Sequence, residues 1–242
     1  MSERQIIDNF RRITVRIDVT IGTTTGNGSG LIIDNRGTVL TCHHVVRPYG
    51  HVPSRIEVVG ENGSHNAQVV KLEQYQDLAL LRSDGLRGSC EFKQFEQVEV
   101  GDKCLMFGFP LNMPHLSVLQ AMISAKGQLS IPNYPYECIQ VDGRVNRGNS
   151  GGPVVDITTG RVVGIVTAKY IPFLASVEDL QNFVRTNRLP ANRGSVQIMG
   201  VDFGQFFNAL FQMVDLLADA LQRVQVGIGY VIPVNLISPF IA

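Results

Sequence analysis

The sequence predicts an all-β chain, a barrel or sandwich, with an α-helical insertion before its last strand. Two observations carry this. Short β-rich runs bounded by Gly, Asn, Asp and Pro turns fill residues 11–171 with no helical pattern between them. Helical spacing begins only at Ser176-Val177-Glu178-Asp179, and the chain returns to a proline-stopped strand at Gly227–Pro233.

In order, the runs are Ile13–Val19, Gly30–Ile33, Thr38–Thr41, Ser54–Val59, Ala67–Lys71, Leu78–Arg82 and Lys103–Phe107. Ala121–Ser124, Glu137–Val141, Gly152–Asp156 and Arg161–Ala168 follow. The stretch Gln97–Lys103 reads as a crossing between an N-terminal barrel, 1–97, and a C-terminal barrel, 98–242. The insertion occupies about 173–225. Ser176 caps its first helix, with Leu180, Phe183 and Val184 at helical spacing. A second helix is expected from Val201 to Gln225, where the polar residues Gln205, Asn208, Gln212, Asp215, Asp219 and Gln222 form one narrow stripe. So wide an apolar remainder suggests self-association or a regulatory partner. Asp215 and Asp219 argue against membrane insertion.

Apolar residues make up 44% of the 242 and charged residues 17%, which suits one globular body with a sizeable core. Twenty-one basic residues balance 21 acidic ones without a dense cationic run, so neither nucleic acid nor an anionic membrane is expected as a partner. Cys42, Cys90, Cys104 and Cys138 follow no disulfide or C-x-x-C pattern and read as free thiols. Met1–Thr20 lacks the apolar core of a secretory signal, which points to the cytoplasm.

Chemistry concentrates at Gly148-Asn149-Ser150-Gly151-Gly152-Pro153. A serine between glycines sits on a turn tight enough to expose both its hydroxyl and its amide. The G-x-S-x-G pattern also occurs in α/β-hydrolases, but those place their histidine after the serine. Here all five histidines, 43, 44, 51, 65 and 115, precede Ser150. The order His, Asp, Ser remains available, with His43 and His44 closing an early strand and Asp77 opening Leu78–Leu81. Asp84, Asp102 and Asp142 compete with Asp77 for the acid.

Gly28-Ser29-Gly30, Leu40-Thr41-x-x-His44-Val45-Val46, Asp77-Leu78-Ala79-Leu80 and Asn146-x-Gly148-Asn149-Ser150-Gly151-Gly152-Pro153 together resemble the HtrA/Deg branch of the trypsin-like serine peptidases. The likeness extends through Phe107-Gly108-x-Pro110, Ile139-Gln140-x-Asp142, Val162–Ile165 and Gly227–Pro233, leaving out the helical insertion. It implies a chymotrypsin-like fold of two packed antiparallel β-barrels and a serine endopeptidase with the triad His44, Asp77 and Ser150. Its oxyanion hole would draw on Gly148, Asn149 and Ser150. An extended polypeptide substrate would pair along Thr167, Ala168 and Lys169. Arg144, six residues before the nucleophile, falls at the base of the primary pocket, with Lys169 near its mouth. Two cations there would disfavour Lys or Arg before the scissile bond. No cofactor or metal is implied. HtrA-like proteins usually carry a PDZ domain, for which nothing follows Ala242. A trypsin-like fold with a silent triad, serving as a peptide-binding or scaffolding module, is the alternative.

Overall fold

A computed structural model of the chain describes residues 1–131, 134–169, 197–198, 201–202, 208–217 and 227–242. It opens with a helix, α1 (Glu3–Ile13), which the sequence analysis does not identify and whose last residue, Ile13, it counts as the first of a strand. The Ser2 hydroxyl accepts from the Gln5 amide while the Gln5 side chain accepts from the Ser2 amide, a capping box that starts the helix. Ile6, Phe10 and Ile13 bury one face, and the Phe10 ring lies 5.4 Å from that of Phe107.

Seven strands form the first sheet: β1 (Thr14–Ile21), β2 (Thr24–Ile32), β3 (Thr38–Cys42), β4 (Arg55–Gly60), β5 (Gly63–Asn66), β6 (Gln68–Glu73) and β7 (Leu78–Arg82). Their spatial order is β5-β4-β1-β2-β3-β7-β6. The two edge strands are consecutive in the chain, with Ala67 alone between them. Since consecutive Cα atoms are about 3.8 Å apart, the sheet must curl until its edges nearly meet. Ser83 Oγ, just beyond β7, donates to Asn66 O at the end of β5 across that seam. The strand β5 escaped the sequence reading because Gly-Ser-His-Asn has no apolar alternation.

The second sheet closes fully. It contains β8 (Lys103–Gly108), β9 (Ser117–Ile131), β10 (Tyr134–Asp142), β11 (Pro153–Asp156) and β12 (Val162–Lys169). After the two-residue strands β13 (Gln197–Ile198) and β14 (Val201–Asp202), which pair only with each other, β15 (Ile228–Pro233) completes the barrel. The order around it is β10-β15-β12-β11-β8-β9, all neighbours antiparallel. A last helix, Val234–Ile241, buries Val234, Ile237 and Phe240, and Lys71 Nζ of β6 donates to its Phe240 carbonyl. The core of the first sheet continues into the second through Leu105, Phe107, Val155, Val162, Ile165 and Ile232.

The chain divides into a compact unit of residues 1–170 and 227–242 and another of residues 171–226. The expected helix at Ser176 lies outside the described residues. Val201 and Asp202 pair with Ile198 and Gln197 as strand, so the second helix does not start at Val201. Residues 208–217 are helical, with Leu210, Met213, Leu216 and Leu217 exposed. Among the described residues, no helix is long and apolar enough to cross a membrane.

Asp102 belongs to a buried knot in the second barrel. Lys93, 8% exposed, donates to Asp102 Oδ2 at 2.8 Å and to Asp156 Oδ2 at 2.6 Å. Burial raises the Asp156 pKa, but the Lys93 hydrogen bond and charge and the Thr159 amide and hydroxyl outweigh it, leaving the carboxyl below its ordinary value. A carboxylate whose folded pKa is depressed contributes stability above its unfolded pKa, near 4, and loses it as pH falls through the folded value. Asp156→Asn is therefore expected to cost about 1–3 kcal/mol at neutral pH, because buried Lys93 keeps Asp102 but loses one of its two carboxylate partners. It should also flatten the acid-side loss of stability below about pH 4. Urea melts across a pH series measure both effects.

Candidate active site

His44 stands where β3, buried along its whole length, turns into the short helix α2 (His43–Val46). Val45 and Val46 anchor that turn in the core. Gly28 makes room for it, since a Cβ there would lie 2.5 Å from Val45 Cγ1. With the valine pair facing inward, the His44 side chain is left half exposed.

Asp77 has φ +56°, in the left-handed region that Asp tolerates better than most residues. Its carboxylate is the meeting point of three donors. Oδ1 accepts the His44 amide at 2.9 Å, while Oδ2 lies 2.8 Å from His44 Nδ1 and accepts the Thr167 hydroxyl at 2.5 Å. The Asp77 carbonyl also accepts the His43 amide at 3.0 Å. Burial pushes the Asp77 pKa up, yet the hydrogen bonds and charge of His44 and the Thr167 hydroxyl bring it below its ordinary value. The carboxylate is thus ionised at neutral pH and can only accept. Nδ1 of His44 therefore carries the proton, leaving the Nε2 lone pair free to serve as a base.

Thr167 reaches Asp77 because β12 bulges. Its pairing with β15 slips between Val166 and Ala168, and the residue between is re-aimed. Cys42 Sγ also lies close, within 4.8 Å of ligand atoms of His44 and Asp77. Burial first, then the charge of Asp77, raises the Cys42 pKa well above its ordinary value, and the thiol donates to Val166 O. The thiolate that metal ligation requires is thereby disfavoured.

The turn around Ser150 is fixed one peptide at a time. The Arg147 carbonyl accepts the Leu111 amide at 2.7 Å and the Gly148 carbonyl accepts Ser29 Oγ at 2.6 Å. The Asn149 carbonyl accepts the Gly152 amide at 3.0 Å, and the Ser150 carbonyl accepts the Ser29 amide at 2.8 Å. The Asn149 amide, one of the donors expected from the sequence, is turned back to Asn146 O at 3.0 Å. Gly151 N donates to Val166 O. Among the described residues, the amides of Gly148 and Ser150 have no hydrogen-bond partner. Because N–H and C=O point oppositely in a trans peptide, the pinned carbonyls also aim these two amides. Gly148 has φ +96°, and a Cβ there would run into the Phe109 carbonyl oxygen.

The Ser150 hydroxyl donates to Thr167 O at 2.9 Å. Asp84 and Asp142 are exposed and Asp102 is tied to Lys93, so of the four candidate acids Asp77 is the one beside a histidine. Arg144 is exposed and shares a shallow depression with Leu119, Gln120, Asp142, Gly143 and Gly227. Ala168 and Lys169 continue β12, but their side chains lie outside the described residues. Sequence reasoning missed Ser29, Phe109 and Leu111. The Gly28-Ser29-Gly30 motif was visible, but not that it touches the nucleophile turn.

A family model described as the trypsin-like peptidase domain matches residues 28–165. A DegP-like periplasmic serine endoprotease of Pseudomonas putida is 37% identical over 140 residues, 57% of this chain and 28% of its own. One from Rhizobium meliloti is 38% identical over 149 residues, 60% of this chain and 28% of its own. The chain thus spans less than a third of these relatives' length. Among solved structures, the HtrA-type protease AlgW with a tripeptide matches with a TM-score of 0.62 and 29% identity, over 70% of this chain and 55% of that one. The relatives' periplasmic naming overturns the cytoplasmic expectation. That expectation rested on residues 1–20, which form α1 and most of β1. Similar to these HtrA-type and DegP-like proteases, with over half of its residues matched by the family model and with a closed barrel beside a curled sheet, the chain belongs to the trypsin-like peptidase domain family.

Proposed function

We propose that the chain hydrolyses peptide bonds in extended or unfolded polypeptide segments, with His44 as base, Asp77 as its orienting acid and Ser150 as nucleophile. The observation that carries this is the pairing of an ionised Asp77 with His44 Nδ1, joined through Thr167 to Ser150, whose turn leaves the amides of Gly148 and Ser150 without partners among the described residues. Ser150 attacks the carbonyl carbon, and His44 Nε2 takes the hydroxyl proton and returns it to the leaving amine. Asp77 stabilises the imidazolium formed in between. The amides of Gly148 and Ser150 hold the developing oxyanion, at about 3–4 kcal/mol per donor. Attack requires the Ser150 side chain to rotate from Thr167 O toward His44.

The substrate edge is supported by the way β12 outruns its neighbour. Its pairing with β11 ends at Ile165, while Ala168 and Lys169 stay paired only to β15 on the other side. An extended peptide added there gains main-chain hydrogen bonds without regard to sequence.

The hydroxyl bonded to Thr167 O favours one other reading, a peptide-binding module with a silent triad. A fluorophosphonate probe decides between them, since Ser150 of a competent triad is labelled and that of a silent one is not. Ser150→Ala, His44→Ala and Asp77→Asn are each expected to lower hydrolysis of an unfolded protein by at least about 10³-fold with unchanged melting. His43→Ala should do far less, and the reverse result for the two histidines would reassign the base. Arg144, at the base of the primary pocket by family alignment, should disfavour Lys and Arg before the scissile bond. A peptide-library profile in which Lys or Arg dominates that position would discard this role.

A further inference from the structure

We infer that Ser29 is a positioning residue for catalysis, a buried hydroxyl bridge in the first sheet that sets the orientation of the oxyanion amides carried by the second. The inference rests on the proposed oxyanion role of Gly148 and Ser150. It concerns a residue that reaches neither the substrate nor the reacting serine hydroxyl.

Ser29 is wholly buried in β2, where a hydroxyl without partners would be costly. Its oxygen accepts the Phe109 amide at 2.9 Å and donates its one proton to the Gly148 carbonyl at 2.6 Å. A serine hydroxyl has a single hydrogen, so the amide on one side commits that hydrogen to the carbonyl on the other. The backbone of the same residue completes the grip. Its amide donates to Ser150 O at 2.8 Å, and its carbonyl is held by Thr41 Oγ1 at 2.7 Å.

Each contact fixes a peptide next to one that carries a partnerless amide. The Ser29–Ser150 bond fixes the peptide just after the nucleophile. The hydroxyl fixes the Gly148 carbonyl, whose peptide partner, the Asn149 amide, is held by Asn146 O. Through Phe109, the hydroxyl also steadies the segment whose Leu111 amide pins the Arg147 carbonyl. That carbonyl shares a plane with the Gly148 amide, so turning the peptide over would replace a donor in the hole with an acceptor. Asn27 Nδ2 supports the same segment by donating to Phe109 O at 3.1 Å. Without the hydroxyl, a buried donor at Phe109 and a buried acceptor at Gly148 lose their partner together, and the restraint against turning is weakened.

The test compares Ser29→Ala with the unaltered protein, using a substrate-derived peptidyl aldehyde, whose serine adduct carries an oxyanion-like oxygen, and the matching peptidyl alcohol, which forms none. The expected result is a loss of about 10- to 100-fold in aldehyde affinity and in kcat, with alcohol affinity and KM within about twofold. Ser29→Gly, which also keeps the amide to Ser150 O, takes the place of Ser29→Ala if the alanine variant does not fold. A folded variant that keeps its aldehyde affinity, or loses aldehyde and alcohol affinity in parallel, overturns the inference. An unaltered protein that binds aldehyde no better than alcohol overturns the oxyanion reading beneath it, which separates the two failures.

Discussion

The Asp77 carboxylate lies at the junction of the two sheets, and the geometry of the site follows from what it takes to keep a charge there. Three donors converge on its oxygens: an amide and a ring nitrogen from His44 beside the first sheet, and a hydroxyl from Thr167 in the second. A partly buried charge with fewer partners would take up a proton, and the histidine would lose both its tautomer and its orientation. The left-handed backbone at Asp77 and the bulge at Thr167 are local departures from regular structure that bring these donors together.

A second set of cross-sheet bonds serves the nucleophile. The Ser150 turn is short and glycine-rich, and left alone it would sample several peptide orientations. Bonds from Ser29, Leu111, Gly152 and Val166 reduce these to the one in which the amides of Gly148 and Ser150 are left without partners among the described residues. Asp77 and Ser29 thus divide the work. One fixes a proton-carrying ring, the other a pair of donors, and each does so by joining segments that lie far apart in the chain.

Most strands were legible in the sequence because apolar runs such as Val39-Leu40 and Leu78–Leu81 pack on both faces or alternate cleanly between turns. The helix α1 went unread although Ser2, Gln5 and the spacing of Ile6, Phe10 and Ile13 carry its signal, because Ile13 also opens the apolar alternation of the strand that follows. Residues were easier to name than backbone orientations. His44, Asp77 and Ser150 announce themselves by type and order, whereas the choice among the amides of Gly148, Asn149 and Ser150 depends on which carbonyl each neighbouring peptide satisfies. Leu111 contributes only its amide, and Phe109 contributes its backbone through bonds to residues about eighty positions away, so neither side chain could signal its part.

The placement of β15 bears on when the second barrel can close. This strand joins β10 to β12, so until Ile228–Pro233 has been synthesised the barrel holding Ser150 has an open seam. The first sheet suffers no such wait, since all seven of its strands lie before Ser83. An intervening stretch as long as 171–226 adds little to the entropic cost of closure, because that cost grows only with the logarithm of length, but it lengthens the delay. During translation the half that supplies the histidine can therefore settle first, while the half that supplies the serine remains unfinished. The order of the strands alone thus makes the serine-bearing barrel the later of the two to close.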